Sequence, residues 1–181
     1  MGRQRRSPFV GRTGAEATLL DLVEQVADGG PRTLLIGGEA GVGKSRLIEE
    51  VQGRLGERVH TIVGRCLDSG SQPAPYVAVM DALHGLVSDL GAERVASVAG
   101  PARGELARLE PALGPAADSS DLGRSRLMEA VVELVERLAA RRPVMLVVED
   151  VHWADPSTLD VLGFCVSTVQ GPVLLLMTYR S

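Results

Sequence analysis

A chain of 181 residues, 45% hydrophobic and 23% charged, can bury one full core, so a single domain is the default. A net charge of −4 speaks against a broad basic surface for nucleic acid, and no direct contact with DNA is expected. Two cysteines, Cys66 and Cys165, offer neither metal-ligand spacing nor a disulfide framework, and both are expected to be reduced and buried.

In chain order, residues 1–8 read as a flexible basic arm, and residues 9–181 as the folded core. No apolar signal-type stretch follows the arginines at 3, 5 and 6. The apolar runs at 143–148 and 173–177 are too short to span a membrane, so a cytoplasmic protein with no membrane partner is expected. Thr13-x-x-Glu16 has the capping-box pattern, and Leu19, Leu22, Val23 and Val26 follow as one helical face that Gly29-Gly30-Pro31 ends. Thr33 to Ile36 is a short strand-like run. After it come Gly38-Glu39-Ala40-Gly41-Val42-Gly43-Lys44-Ser45 and then a helix with Leu47, Ile48, Val51 and Leu55 on one face. Val59 to Val63 alternates as a strand does, residues 64–75 form a loop, and Tyr76 to Leu90 is a helix. Residues 91–123, rich in Ala, Gly and Pro, suggest only one short helix near 103–109. Leu127, Val131, Leu134, Val135 and Leu138 mark a further helix, with Glu133 and Arg137 paired four apart on its outer side. Pro143 to Val148 reads as a strand buried on both faces and ends in Glu149-Asp150. Asp155-Pro156 is an N-cap with proline in the first turn; the helix it opens runs to Gly171-Pro172, and Val173 to Met177 is a last buried strand. Strands alternating with helices imply an α/β fold, a parallel sheet between two helical layers.

The loop at 38–45 carries the chemistry. It matches G-x-x-x-x-G-K-[ST] at every fixed position, between a strand and a helix as the motif requires. Glycines let successive N–H groups face one anion, and the helix start adds positive potential. Lys44 can reach the outer phosphates of a nucleotide, and the Ser45 hydroxyl can ligate Mg²⁺; Arg46 adjoins them. Lys44 is the only lysine beside 18 arginines, standing where a compact ammonium suits phosphate better than a planar guanidinium.

The acidic pair Glu149-Asp150 is the natural complement. Mg²⁺ takes one or two carboxylates supplemented by water and phosphate, and hydrolysis needs a group to orient water. In parallel sheets ligands lie beyond the carboxyl ends of the strands, where Glu149, Asp150 and Arg180 fall. Trp153, the only tryptophan, is expected to pack against the sheet with its N–H satisfied locally, and His152 to be structural; His60 and His84 complete no triad or metal pattern.

With these residues in place, the chain resembles the AAA-type ATPase domain of STAND-class signal-transduction ATPases, above all that of large LuxR-type transcriptional regulators. The likeness rests on Phe9-Val10-Gly11-Arg12, Gly38 to Ser45, Gly64-Arg65-Cys66, Pro75-Tyr76, Leu106 to Leu109 with Pro111, Val147 to Asp155 and Thr178-Tyr179-Arg180, in order along nearly the whole chain. It implies a P-loop NTPase three-layer sandwich, here without its lid subdomain and therefore a piece of a longer protein. It also implies an ATP/ADP switch with slow hydrolysis, whose partners are other domains of the same chain or further copies. Carried over, Val10 and Arg12 sit beside the adenine, Lys44 binds the outer phosphates, Ser45 with Glu149 and Asp150 holds Mg²⁺ and water, and Arg180 reads the γ-phosphate. Two departures stand out: Thr13 where relatives often carry an acid, and Glu-Asp where many ATPases have Asp-Glu. A non-hydrolysing nucleotide-binding scaffold and a P-loop kinase remain as alternatives.

Overall fold

The structure, a computed structural model, describes residues 13–68, 70, 74–118 and 123–181. The expected arm and the adenine-side candidates Val10 and Arg12 lie outside the described residues. Four strands, β1 (Arg32–Gly37), β2 (His60–Arg65), β3 (Val144–Glu149) and β4 (Val173–Tyr179), form one sheet in the order β1-β4-β3-β2. Every pairing is parallel. The α/β fold read from the sequence is the fold observed.

Alternation along the strands sends side chains to opposite faces. On one face, Met145, Val147, Leu174 and Leu176 meet Leu19, Val23 and Val26 of α1 (Thr13–Gly29) and Leu47, Ile48, Val51 and Leu55 of α2 (Lys44–Leu55). Burying each of those α2 side chains contributes about 1.5–3 kcal/mol, enough to dock a helix that contains Gly53 and has no side-chain cap. On the other face, Ile62, Leu146, Val148 and Leu175 meet a layer of five helices: α3 (Val77–Leu90), α4 (Ala92–Ala99), α5 (Arg103–Leu106), α6 (Gly123–Ala139) and α7 (Pro156–Thr168). That layer covers β2, β3 and β4. It leaves Leu35 of the edge strand β1 56% exposed.

One local expectation changes. The stretch 91–118 is more ordered than its Ala, Gly and Pro content suggests: α4, α5 and two 3₁₀ turns bury Val95, Val98, Ala99, Leu106 and Leu113. Small residues there allow close backbone packing, which a search for bulky periodic residues overlooks. The side chain of Thr13, the other half of the capping box read from the sequence, lies outside what is described; Glu16 is buried and faces Arg54 Nε of α2 at 2.5 Å. The Glu133–Arg137 pair forms as read.

Gly64 explains why one motif residue has to be glycine. A Cβ there would lie 2.1 Å from the Ala78 carbonyl oxygen, because α3 rests directly on β2. Gly64→Ala must push α3 outward and is expected to cost about 1–3 kcal/mol, read from the urea midpoint. An unchanged midpoint would mean that α3 moves freely on the sheet.

Candidate functional site

The phosphate loop joins β1 to α2. Gly41 and Gly43 have φ of +74° and +92°, conformations that a side chain would strain. The turn they make leaves the start of α2 without any side-chain cap, so its first N–H groups remain available to an anion. Lys44 is buried and folds back over the loop, its Nζ donating to the Gly38 carbonyl at 2.6 Å and to that of Glu39 at 3.1 Å.

The strand order places the ends of β4 and β3 next to this loop. A cleft of about 330 Å³ results, walled by Ala40, Gly41, Gly43, Lys44, Ser45 and Arg46 on one side. Asp150, His152, Trp153 and Arg180 wall the other. Of the candidates, Gly38, Glu39 and Val42 shape the loop without lining the cleft. The two acids separate. Asp150 lies in it, whereas Glu149 is buried outside it with Oε2 3.3 Å from Arg65 Nε. Arg65, in register with Glu149 across the β2–β3 pair, also reaches Asp81 at 3.5 Å.

Asp150 faces the cleft because its backbone turns left-handed there, with φ of +57°, a conformation Asp tolerates better than most residues. Its N–H donates to the Thr178 hydroxyl at 2.9 Å, and Thr178 is buried. Thr178 thus holds the acid in place, a role not assigned to it from the sequence. The available signal was a threonine directly after the apolar run 173–177.

His152 accepts the Arg180 N–H on Nδ1 at 3.3 Å, which puts the proton of its neutral ring on Nε2. Trp153 does not pack under the sheet. It is 43% exposed in the cleft wall, its ring 5.1 Å from that of His152. The short 3₁₀ turn Val151–Trp153 carries both rings outward before Asp155 starts α7. Burial pushes the thiol of Cys66 up to about 11 and that of Cys165 to about 12, so neither is a thiolate nucleophile at neutral pH.

The profile of the AAA ATPase domain matches residues 8–177. The chain belongs to the AAA ATPase domain family. It is also similar to an uncharacterised protein of Rhizobium meliloti (strain 1021), 30% identical over 199 residues that take in 96% of this chain. The chain spans only 18% of that relative's length. A family of AAA ATPase domains binds nucleotide, usually with Mg²⁺, and the cleft suits both. Among the described residues no cluster of three or more His, Cys, Asp or Glu could hold a metal unaided. Ser45 and Asp150 in one cleft nevertheless offer the hydroxyl and single carboxylate that Mg²⁺ uses beside phosphate and water. Among the described residues no helix is long and apolar enough to cross a membrane.

Proposed function

We propose that this AAA domain is the ATP·Mg²⁺-binding switch of a larger, cytoplasmic, bacterial-type STAND regulator, of the kind found in LuxR-type transcription factors, and that it hydrolyses ATP slowly. The observation that carries this reading is the meeting of Asp150 and Arg180, from the ends of two different strands, with Lys44 and Ser45 in one cleft. In it, the loop N–H groups and Lys44 bind the outer phosphates, Ser45 and Asp150 hold Mg²⁺, and the Arg180 guanidinium forks onto the terminal phosphate. Val10 and Arg12 flank the base. Bound Mg²⁺ would neutralise phosphate charge; discrimination between ATP and ADP falls to Arg180, whose position His152 helps to fix. Output passes to other domains of the same chain or to further copies, with no contact to nucleic acid by this domain.

Trp153 supplies a built-in reporter, since it is the only tryptophan and lies in the cleft wall. Its fluorescence should change on titration with ATP and Mg²⁺. Arg180→Ala is expected to weaken ATP roughly tenfold and to leave ADP nearly unchanged. Equal losses for both nucleotides, or none, would show that Arg180 does not read the terminal phosphate.

A second reading has an observation of its own. With Glu149 paired to Arg65, Asp150 is the one carboxylate among the described residues that line the cleft, which favours a domain that binds nucleotide without hydrolysing it. Phosphate release by the longer protein, absent in Asp150→Asn, separates the two.

A further inference from the structure

The β3–β4 ladder ends at the pair Val148 and Met177, and the chain turns left-handed at Asp150. Beyond that point the imidazole of His152 takes the place of a neighbouring strand, accepting the Arg180 N–H on Nδ1 at 3.3 Å. Two residues earlier, the Asp150 N–H donates to the Thr178 hydroxyl at 2.9 Å. The segment 150–152 is therefore tied to the end of β4 at two points. The ring of Trp153 flanks that of His152, with 5.1 Å between centroids and a tilt of 45°. An exposed side chain ordinarily samples several rotamers. His152 is exposed and lines the cleft across from Lys44 and Ser45, yet its ring is held. The structural duty expected of it, the tie to Arg180, uses only Nδ1.

The tautomer decides what the other nitrogen can do. Because Nδ1 accepts an N–H, the neutral ring carries its own proton on Nε2. A ring nitrogen that bears a proton donates; it has no lone pair with which to draw a proton from water. While the bond to Arg180 lasts, His152 is therefore not a general base, and its chemistry suits an anion. On the nucleotide reading of the cleft, on which this inference rests, the loop and Lys44 take the outer phosphates. The far wall, with Arg180 and His152 in it, then meets the end of the phosphate chain. We infer that His152 is a second reader of the terminal phosphate, its Nε2–H donating to an oxygen that ATP has and ADP lacks. Its Nδ1 meanwhile holds the backbone of Arg180, whose guanidinium approaches the same group. One imidazole thus positions one phosphate contact and makes another, and adds its own share to the discrimination that Arg180 supplies.

Two substitutions separate the two nitrogens. His152→Asn keeps an acceptor where Nδ1 stands and has no donor at the place of Nε2, whereas His152→Gln reaches that place with an amide N–H. Affinities for ATP and ADP, both with Mg²⁺, are measured by calorimetry on the full chain. His152→Asn is expected to bind ATP about fivefold or more weakly, the contribution of one donor to a charged oxygen, with ADP changed by less than about twofold. His152→Gln should recover part of the ATP affinity. In His152→Asn the Arg180 amide resonance should keep its wild-type position in the NMR spectrum. A loss of ATP affinity together with a displaced Arg180 resonance would leave His152 a positioning residue only, and so overturn the proposal. Unchanged ATP affinity in His152→Asn, equal losses for both nucleotides, or no recovery in His152→Gln would overturn it as well. A wild-type chain that binds no ATP would remove the nucleotide reading itself. Wild-type binding that Lys44→Ala weakens and His152→Asn does not would remove the role of His152 alone.

Discussion

Lys44→Ala is expected to weaken ATP binding by roughly tenfold to a hundredfold, the loss of one charge-assisted contact of about 1.5–3 kcal/mol. The ammonium now lies against the Gly38 and Glu39 carbonyls, so it needs only a short movement to meet an incoming phosphate. That starting position also means that the alanine variant loses two loop tethers, and its fold has to be checked by circular dichroism. Lys44→Arg is the informative companion. It keeps the charge but replaces a compact donor in a buried position with a planar fork, and should bind ATP more weakly than the wild type. Calorimetry on folded Lys44→Ala with unchanged affinity would end the nucleotide-binding account of this loop.

Asp155→Ala is expected to have the largest effect on stability. Asp155 is 3% exposed, and its carboxylate accepts four hydrogen bonds. Two come from Thr158, through its N–H at 2.9 Å and its hydroxyl at 2.6 Å, and cap α7. The other two come from the N–H groups of Tyr76, at 3.0 Å, and Val77, at 3.3 Å, where α3 begins. Tyr76 is held there with φ of +63°. One side chain therefore fixes the starts of two helices, and its loss leaves several donors without a partner. A cap costs about 0.5–2 kcal/mol and each stranded buried donor about 1–3 kcal/mol, so a total of roughly 2–5 kcal/mol is expected from urea unfolding.

The same carboxylate sets the acid limb. Burial raises its pKa, but the hydrogen bonds from Thr158, Tyr76 and Val77 outweigh burial and leave it below the ordinary 3.8. A depressed folded pKa means that the stabilisation is complete above the unfolded value and is lost as pH falls through the folded one. His60 acts in a higher window. Its folded pKa also lies below 6.5, so the unfolded chain takes up a proton first and stability declines as pH falls below that value. Unfolding free energy should therefore drop in two stages on acidification, and Asp155→Asn should remove most of the lower one. A single stage in the wild type would contradict the assignment.

The sequence by itself determined the phosphate loop, the alternation of strands and helices, and the Asp155-Pro156 helix start, because each is a local signal. Glycines at set positions, a repeat of two or of 3.6, and a capping side chain next to its helix act within a few residues. Tertiary structure alone decided the order β1-β4-β3-β2, and with it the meeting of Asp150 and Arg180 with Lys44. It also decided which acid of the pair enters the cleft. Glu149 and Asp150 are equivalent as residue types, and the choice rests on Arg65 from β2 holding the first and Thr178 from β4 holding the second. The second duty of Asp155, at a helix start almost eighty positions earlier in the chain, was hidden for the same reason. So was the outward turn of Trp153, since an aromatic residue in sequence suggests burial, and only the cleft beside it gives its exposed ring a wall to form.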